Sequence, residues 1–121
     1  IIDYMIQEYK KGRTPNPDIL CNKEIKFDLF LKYAMGLNAD FIATGHYCKK
    51  EKKGNLYRLK QAKDKVKDQT YFLSNLNQAQ LRRALFPIGH LQKNEVRQMA
   101  NDFELPAAKR KDSQGICFLA K

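Results

Sequence analysis

Two cysteines in this sequence stand in surroundings that could make them reactive. In Pro17-Asp18-Ile19-Leu20-Cys21 a carboxylate precedes a thiol by three positions, on a stretch stiffened by Pro15 and Pro17. That is the spacing of a general acid or base beside a nucleophile. The same pattern suits a plainer arrangement, with Asp18 capping the following helix and Cys21 filling a small apolar space, and nothing local separates the two. In Gly115-Ile116-Cys117-Phe118 the thiol follows a turn glycine but is flanked by Ile and Phe, company in which cysteine is most often inert core. Cys48 belongs to neither pattern. The three thiols form no C-x-x-C pair and His46 and His90 add no metal-ligand spacing, so no bound metal is expected. An odd cysteine count in a reducing compartment argues against a structural disulfide framework and leaves catalytic, transient pairing as the expected kind.

These residues need elements to position them. Ile2, Met5, Ile6 and Tyr9 recur at helical spacing up to Gly12, which predicts a helix over 2–11. The run Arg13 to Asp18 reads as a shaped loop, because each proline fixes its own φ and pushes Thr14 and Asn16 into extended conformations. Phe27, Phe30, Leu31 and Ala34 predict the next helix, stopping near Gly36, so that Cys21 sits at or just before a helix start where amides and dipole favour a thiolate. The apolar run at 40–44 predicts a buried parallel strand whose carboxyl end delivers Gly45 and His46 to a binding loop. Tyr47 to Lys50 and Leu56 to Leu59 predict a surface hairpin with a polar turn and solvated lysines. Asn77 and Gln80 form a capping box for a helix over 78–85, and Val96, Met99, Ala100 and Phe103 mark a last helix before Pro106, both stripes being expected in the core. The overall expectation is an α/β fold.

With 121 residues, 43% of them hydrophobic, the chain can bury one core. It has 23 Lys and Arg against 13 Asp and Glu, a net charge of +10, which attracts polyanions. Charge alone leaves nucleic-acid binding and a merely solvated basic surface equally open. No apolar run approaches the roughly 18 residues of a membrane span, and the first residues lack a signal peptide's order, so a soluble, cytoplasmic protein is expected. The apolar start without an initiator Met suggests an internal piece of a longer protein.

The longest motif, Gly12-Arg-Thr-Pro-Asn-Pro-Asp-Ile-Leu-Cys-Asn-Lys-Glu-Ile-Lys-Phe27, strongly resembles the signature of bacterial tRNA 2-thiouridylases. The resemblance continues, in that family's order, through Ala43-Thr-Gly-His-Tyr47, Lys67-Asp-Gln-Thr-Tyr-Phe-Leu73, Leu85-Phe-Pro-Ile-Gly89, Glu95-Val-Arg97 and Lys111-Asp-Ser-Gln-Gly-Ile-Cys-Phe118. It implies part of a PP-loop ATPase parallel sheet, Rossmann-like and of the adenine nucleotide alpha hydrolase type, with a small helical region appended. It also implies an ATP-dependent enzyme that adenylates the 2-carbonyl of the wobble uridine in the tRNAs for Lys, Glu and Gln and replaces that oxygen with sulfur. On this resemblance Cys117 takes sulfur as a persulfide from a relay protein fed by a cysteine desulfurase, Cys21 is the partner thiol, and Asp18 is the general acid or base. Asn16, Pro17 and Asp18 would touch the target base, Gly45 would contact ATP with its Mg, and His46, Lys67, Asp68 and Gln69 would contact tRNA.

The resemblance further suggests three parts: the end of the catalytic domain over 1–75, a helical tRNA-binding region over 76–108, and a return segment over 109–121 carrying Cys117. The family's Ser-Gly-Gly-x-Asp-Ser pyrophosphate loop does not occur in this sequence, and its carboxyl-terminal β-barrel has no room here. Without those phosphate-binding amides this polypeptide alone is expected to be inactive. The rival readings are a non-catalytic RNA-binding domain and, ranked lower, a tRNA methyltransferase, for which no glycine-rich methyl-donor fingerprint follows any strand.

Overall fold

The structure, a computed structural model, describes residues 1–110. Helix α1 spans Ile2–Lys10 and closes with a six-to-one and five-to-two hydrogen-bond pair at Gly12, Arg13 N–H to Glu8 O at 2.9 Å and Gly12 N–H to Tyr9 O at 3.0 Å. Of its apolar stripe only Met5 is buried; Ile2, Ile6 and Tyr9 are exposed. Residues 13–16 are irregular, as the prolines require.

A continuous helical rod then runs from Pro17 to Gly36 in three sections: α2 (Pro17–Leu20), a wide-turned π-helical section (Cys21–Leu29) and α3 (Phe30–Gly36). The helix start comes a full turn earlier than the sequence pattern predicts. Asn16 takes an extended conformation ahead of Pro17, and Pro17 occupies the first helical position, where its missing N–H and preset φ are favourable. The wide turns also correct the expected core stripe. A wider turn carries more residues, so a side chain three positions on drops off the face while one four positions on stays near it. Phe27 is fully buried and Leu31 packs against the core, but Phe30 is 52% exposed. The last helical residue is Gly36, where the sequence predicts the stop, and the chain turns away at Asn38 in the left-handed region at φ 63°, with Ala39 N–H bonded to Ala34 O.

Strand β1 (Ile42–Ala43) pairs in parallel with β4 (Ala84–Leu85), Ile42 opposite Ala84 and Ala43 opposite Leu85. This is the parallel, α/β arrangement expected, yet β4 was expected as helix. Helix α4 (Gln78–Arg83) does begin with the predicted Asn77–Gln80 capping box, and it ends at Arg83 because Ala84 turns extended to join β1. Strands β2 (Cys48–Lys53) and β3 (Leu56–Gln61) form the predicted hairpin, longer than expected and closed by the two-residue turn Gly54-Asn55, with Gly54 at φ 59°. Lys50 is not simply solvated. Its ammonium donates to the Leu81 and Ala84 carbonyls at the carboxyl end of α4 and lies 5.0 Å from the Tyr57 ring centre, and burial lowers its pKa.

The core gathers Phe27, Ala34, Ile42, Cys48, Leu73 and Ala84. Each large side chain there contributes about 1.5–3 kcal/mol by leaving water. Gly89 passes so close to the hairpin that a Cβ on it would overlap the Cys48 carbonyl. Helix α5 (Lys93–Asp102) contradicts the expectation of a core stripe: none of its residues is buried, with Met99 at 45% and Phe103, just past its end, at 70% exposure. Polar ties hold it instead, namely the Gln92–Glu95 capping box, Asp64 accepting from Lys93 N–H at 3.0 Å, and the Lys63–Glu95 ion pair at 3.0 Å. The proposed break between 75 and 76 is crossed by the β1–β4 pairing and by these contacts.

Candidate functional site

Asn16 organises the first motif. Its Oδ1 accepts from the Asp18 and Ile19 amides at 3.1 and 3.3 Å, so Asn16, not Asp18, is the helix cap. Asp18 in the first turn and Cys21 three positions on then share one face of the rod. Cys21 is buried at 8% exposure, and its amide already donates to the Pro17 and Asp18 carbonyls. The expectation that helix-start amides would face this thiol is therefore corrected: those amides belong to Asp18 and Ile19, one turn earlier. Pro15 and Pro17 are buried and fix the loop against the fold.

Two further stretches converge on this rod. Asn22, buried next to Cys21, donates from Nδ2 to the Phe72 carbonyl at 3.3 Å. Phe72 lies in the 3-10 turn Thr70–Leu73, which follows Lys67-Asp68-Gln69 directly. Gln69 in turn brackets Tyr47, its Oε1 accepting from Tyr47 N–H at 3.1 Å and its own N–H donating to Tyr47 O at 2.8 Å. So the Asn16–Asn22, Gly45–Tyr47 and Lys67–Phe72 stretches, separate in sequence, are tied together. Asp68 is occupied internally, accepting from Ala62 N–H at 2.7 Å and Thr70 Oγ1 at 2.8 Å. Lys67 is half-buried, and its amide donates to Asp64.

Gly45 and His46 face opposite ways in effect. A Cβ on Gly45 would meet nothing, so this backbone borders open space. His46 is buried against Phe27 and Phe86, ring centres 6.0 and 6.3 Å away, with Nδ1 2.8 Å from Thr44 Oγ1. Burial, with the nearby Lys26 charge, holds its pKa down at about 4, so the ring is neutral near pH 7. Cys48 is fully buried and its thiol is pushed up to about 12 by burial and by Asp68, which makes it unreactive. Asn22 and Gln80 are the residues that sequence reasoning did not single out as holding the rod. Gln80 Nε2 donates to the Lys23 carbonyl at 3.2 Å, from α4 to the π-helical section. Asn22 Oδ1 and Tyr47 OH are buried without a partner among the described residues. No cluster of three or more His, Cys, Asp or Glu able to hold a metal occurs among the described residues, and no described helix is long and apolar enough to cross a membrane. Cys117 and the rest of 111–121 lie outside the described residues.

A parallel strand pair flanked by helices, with a glycine loop at the end of its first strand, is an α/β arrangement. The chain belongs to the tRNA methyl transferase HUP domain family, which matches residues 1–121. It is 58% identical to the tRNA-specific 2-thiouridylase MnmA of Christiangramia forsetii over all of this chain and 32% of that protein. The corresponding proteins of Flavobacterium johnsoniae and Streptococcus pyogenes serotype M2 are 58% and 57% identical, again over the whole chain. The chain spans about a third of the length of these curated relatives.

Proposed function

We propose that this chain forms a substrate-handling part of an ATP-dependent tRNA-uridine 2-sulfurtransferase. The observation that carries the reading is the convergence of the Asn16–Cys21 helix start, the Gly45 loop and the Lys67–Gln69 stretch, in a chain 58% identical to proteins named 2-thiouridylases. Those relatives' names, together with the absence of a methyl-donor fingerprint, favour thiolation over the methyl transfer in the family's description.

Asn16, Pro17 and Asp18 enclose the target uracil, a loop ordered in advance by two prolines and the Asn16 cap, which lowers the cost of enclosing a base unstacked from the anticodon. ATP supplies the adenylyl group that turns the uridine 2-oxygen into a leaving group. Gly45, bordering open space, would lie against the nucleotide, and Mg would be held chiefly by its phosphates. Asp18 holds or moves a proton at the uracil edge. The terminal sulfur of a Cys117 persulfide bonds to C2, the former 2-oxygen departs with AMP, and Cys21 closes a disulfide with Cys117 as the bond to the transferred sulfur breaks. Lys67 contributes charge toward tRNA; Asp68, Gln69 and the neutral His46 act by shaping the backbone that meets it. The partners are the tRNAs for Lys, Glu and Gln and a sulfur-relay protein fed by a cysteine desulfurase, in the cytoplasm, with 76–108 as the helical tRNA-binding part.

The test is 2-thiouridine formation by the full-length protein with tRNA, ATP and a persulfide donor. Cys21→Ser and Cys117→Ser should each abolish product while tRNA affinity holds, and Cys48→Ser should stay active. Unchanged product in Cys117→Ser would refute the sulfur route. Tight tRNA binding without product in the unaltered protein would leave the RNA-binding reading that the +10 charge favours.

A further inference from the structure

Hairpin side chains alternate between two faces, and the register puts Cys48, Lys50, Lys52, Tyr57 and Leu59 on one of them. Near the core this face is apolar: Cys48 is buried and Leu59 packs against the core. Toward the tip it changes character to Lys52 and Tyr57, which overhang α4. There a cleft of about 370 Å³ opens, lined by Lys52, Asn55, Tyr57, Gln78, Ala79 and Arg82. It has two cations, two amides, an aromatic ring and no carboxylate. Two other surface clefts, along Lys49–Lys65 and Lys63–Asn94, each include an acid, Glu51 and Asp64.

The floor of the cleft is rigid. Gln78 grips the Tyr57 backbone from both sides, Oε1 accepting from its N–H at 2.8 Å and Nε2 donating to its carbonyl at 2.9 Å. Lys50 also anchors the ring, having its ammonium committed to the end of α4. Lys52 is held more loosely, 5.9 Å from the ring centre, near the outer limit of about 6 Å for such a contact. Arg83 is committed to the Asp40 carbonyl at 2.9 Å, whereas Arg82 lines the cleft.

We propose that this cleft, which shares no lining residue with the Asp18–Cys21 site, seats one nucleotide of an RNA strand. The phosphate takes Lys52 and Arg82, the base lies on the Tyr57 ring, and the Asn55 side chain meets a polar edge of sugar or base. This rests on the reading that the chain binds tRNA, and it adds a second anchoring point 31 or more residues along the sequence from Cys21.

The experiment measures tRNA affinity against salt, and 2-thiouridine formation, for the full-length protein and for Lys52→Ala, Arg82→Ala and Tyr57→Leu. Arg58→Ala and Lys53→Ala, on the other face of the hairpin, remove equal charge as controls. Circular dichroism checks that each variant folds. Lys52→Ala and Arg82→Ala should each weaken binding about fivefold and reduce the salt slope by roughly 0.7, as one lost single-strand phosphate contact does. Tyr57→Leu should weaken binding about tenfold with the slope unchanged, the signature of lost stacking. Equal losses in the controls, or no loss in Arg82→Ala, would overturn the cleft and leave only a diffuse basic surface. If no 2-thiouridine forms but the cleft variants still weaken RNA binding, the sulfur-transfer reading falls and the cleft stands.

Discussion

Gln80 joins two structures that a helix cap does not normally connect. Its side chain accepts from the Asn77 amide at 2.9 Å and donates to the Lys23 carbonyl at 3.2 Å, so one residue both starts α4 and holds the π-helical section behind Cys21. Gln80→Ala removes both bonds. Losing the cap costs about 1 kcal/mol. Losing the cross-link costs about another 1 kcal/mol, the usual net worth of one hydrogen bond. Together these give about 2 kcal/mol, or roughly a 30-fold shift in an opening equilibrium. Asn77→Ala separates the two terms, since it removes only the acceptor of the Gln80 amide, at 2.9 Å, and leaves the bond to Lys23 in place. Amide hydrogen exchange on the full-length protein reads both places. Leu81, whose N–H bonds to Asn77 O, should exchange about fivefold faster in Asn77→Ala and about 30-fold faster in Gln80→Ala. Amides within 21–29 should accelerate only in Gln80→Ala. If those amides keep their wild-type protection in Gln80→Ala, the two elements are not coupled through this side chain and the reasoning fails.

Three further outcomes are expected. Gly89→Ala should destabilise the fold by about 3 kcal/mol, because its Cβ must displace the Cys48 carbonyl in a packed core, and a urea midpoint within error of wild type would contradict this. His46 binds its proton less readily folded, at about 4, than unfolded, at its ordinary 6.5, so the unfolded state holds more protons between these values. The stability it confers is therefore complete above pH 6.5 and is lost as pH falls toward 4; His46→Phe should flatten that part of the stability curve, and an unchanged slope would show that other groups set it. Cys48, buried and with its thiol raised to about 12, should resist iodoacetamide at pH 8 until the protein is unfolded, which peptide mapping of the alkylated sites would reveal.

Much of the local structure was legible in the residues themselves. Gly12 ends α1, the Asn77–Gln80 box starts α4, and the alternation around Gly54-Asn55 makes the hairpin, because each depends on contacts a few positions apart. The motif from Gly12 to Phe27 carried the family in the same way, as a linear pattern. What linear patterns did not contain is which stretches meet. Ala84 and Leu85 continue a helical stripe in sequence, yet they become β4 because Ile42 and Ala43 offer a parallel edge that outweighs one more helical turn. Val96, Met99 and Phe103 have core periodicity, but α5 is held by Asp64, Lys63 and its own capping box, and periodicity does not say what lies opposite a face. At the site, the sequence singled out Asp18 and Cys21 but placed the helix start after them. Only the fold shows Asn16 taking the cap, His46 turned inward and neutral, and the rod behind the thiol held by Asn22 bonding out to Phe72 and by Gln80 reaching in from α4. The neutral His46 arises from burial, and the Asn22 and Gln80 bonds join groups 50 and 57 positions apart, which composition and spacing along a chain do not encode one residue at a time.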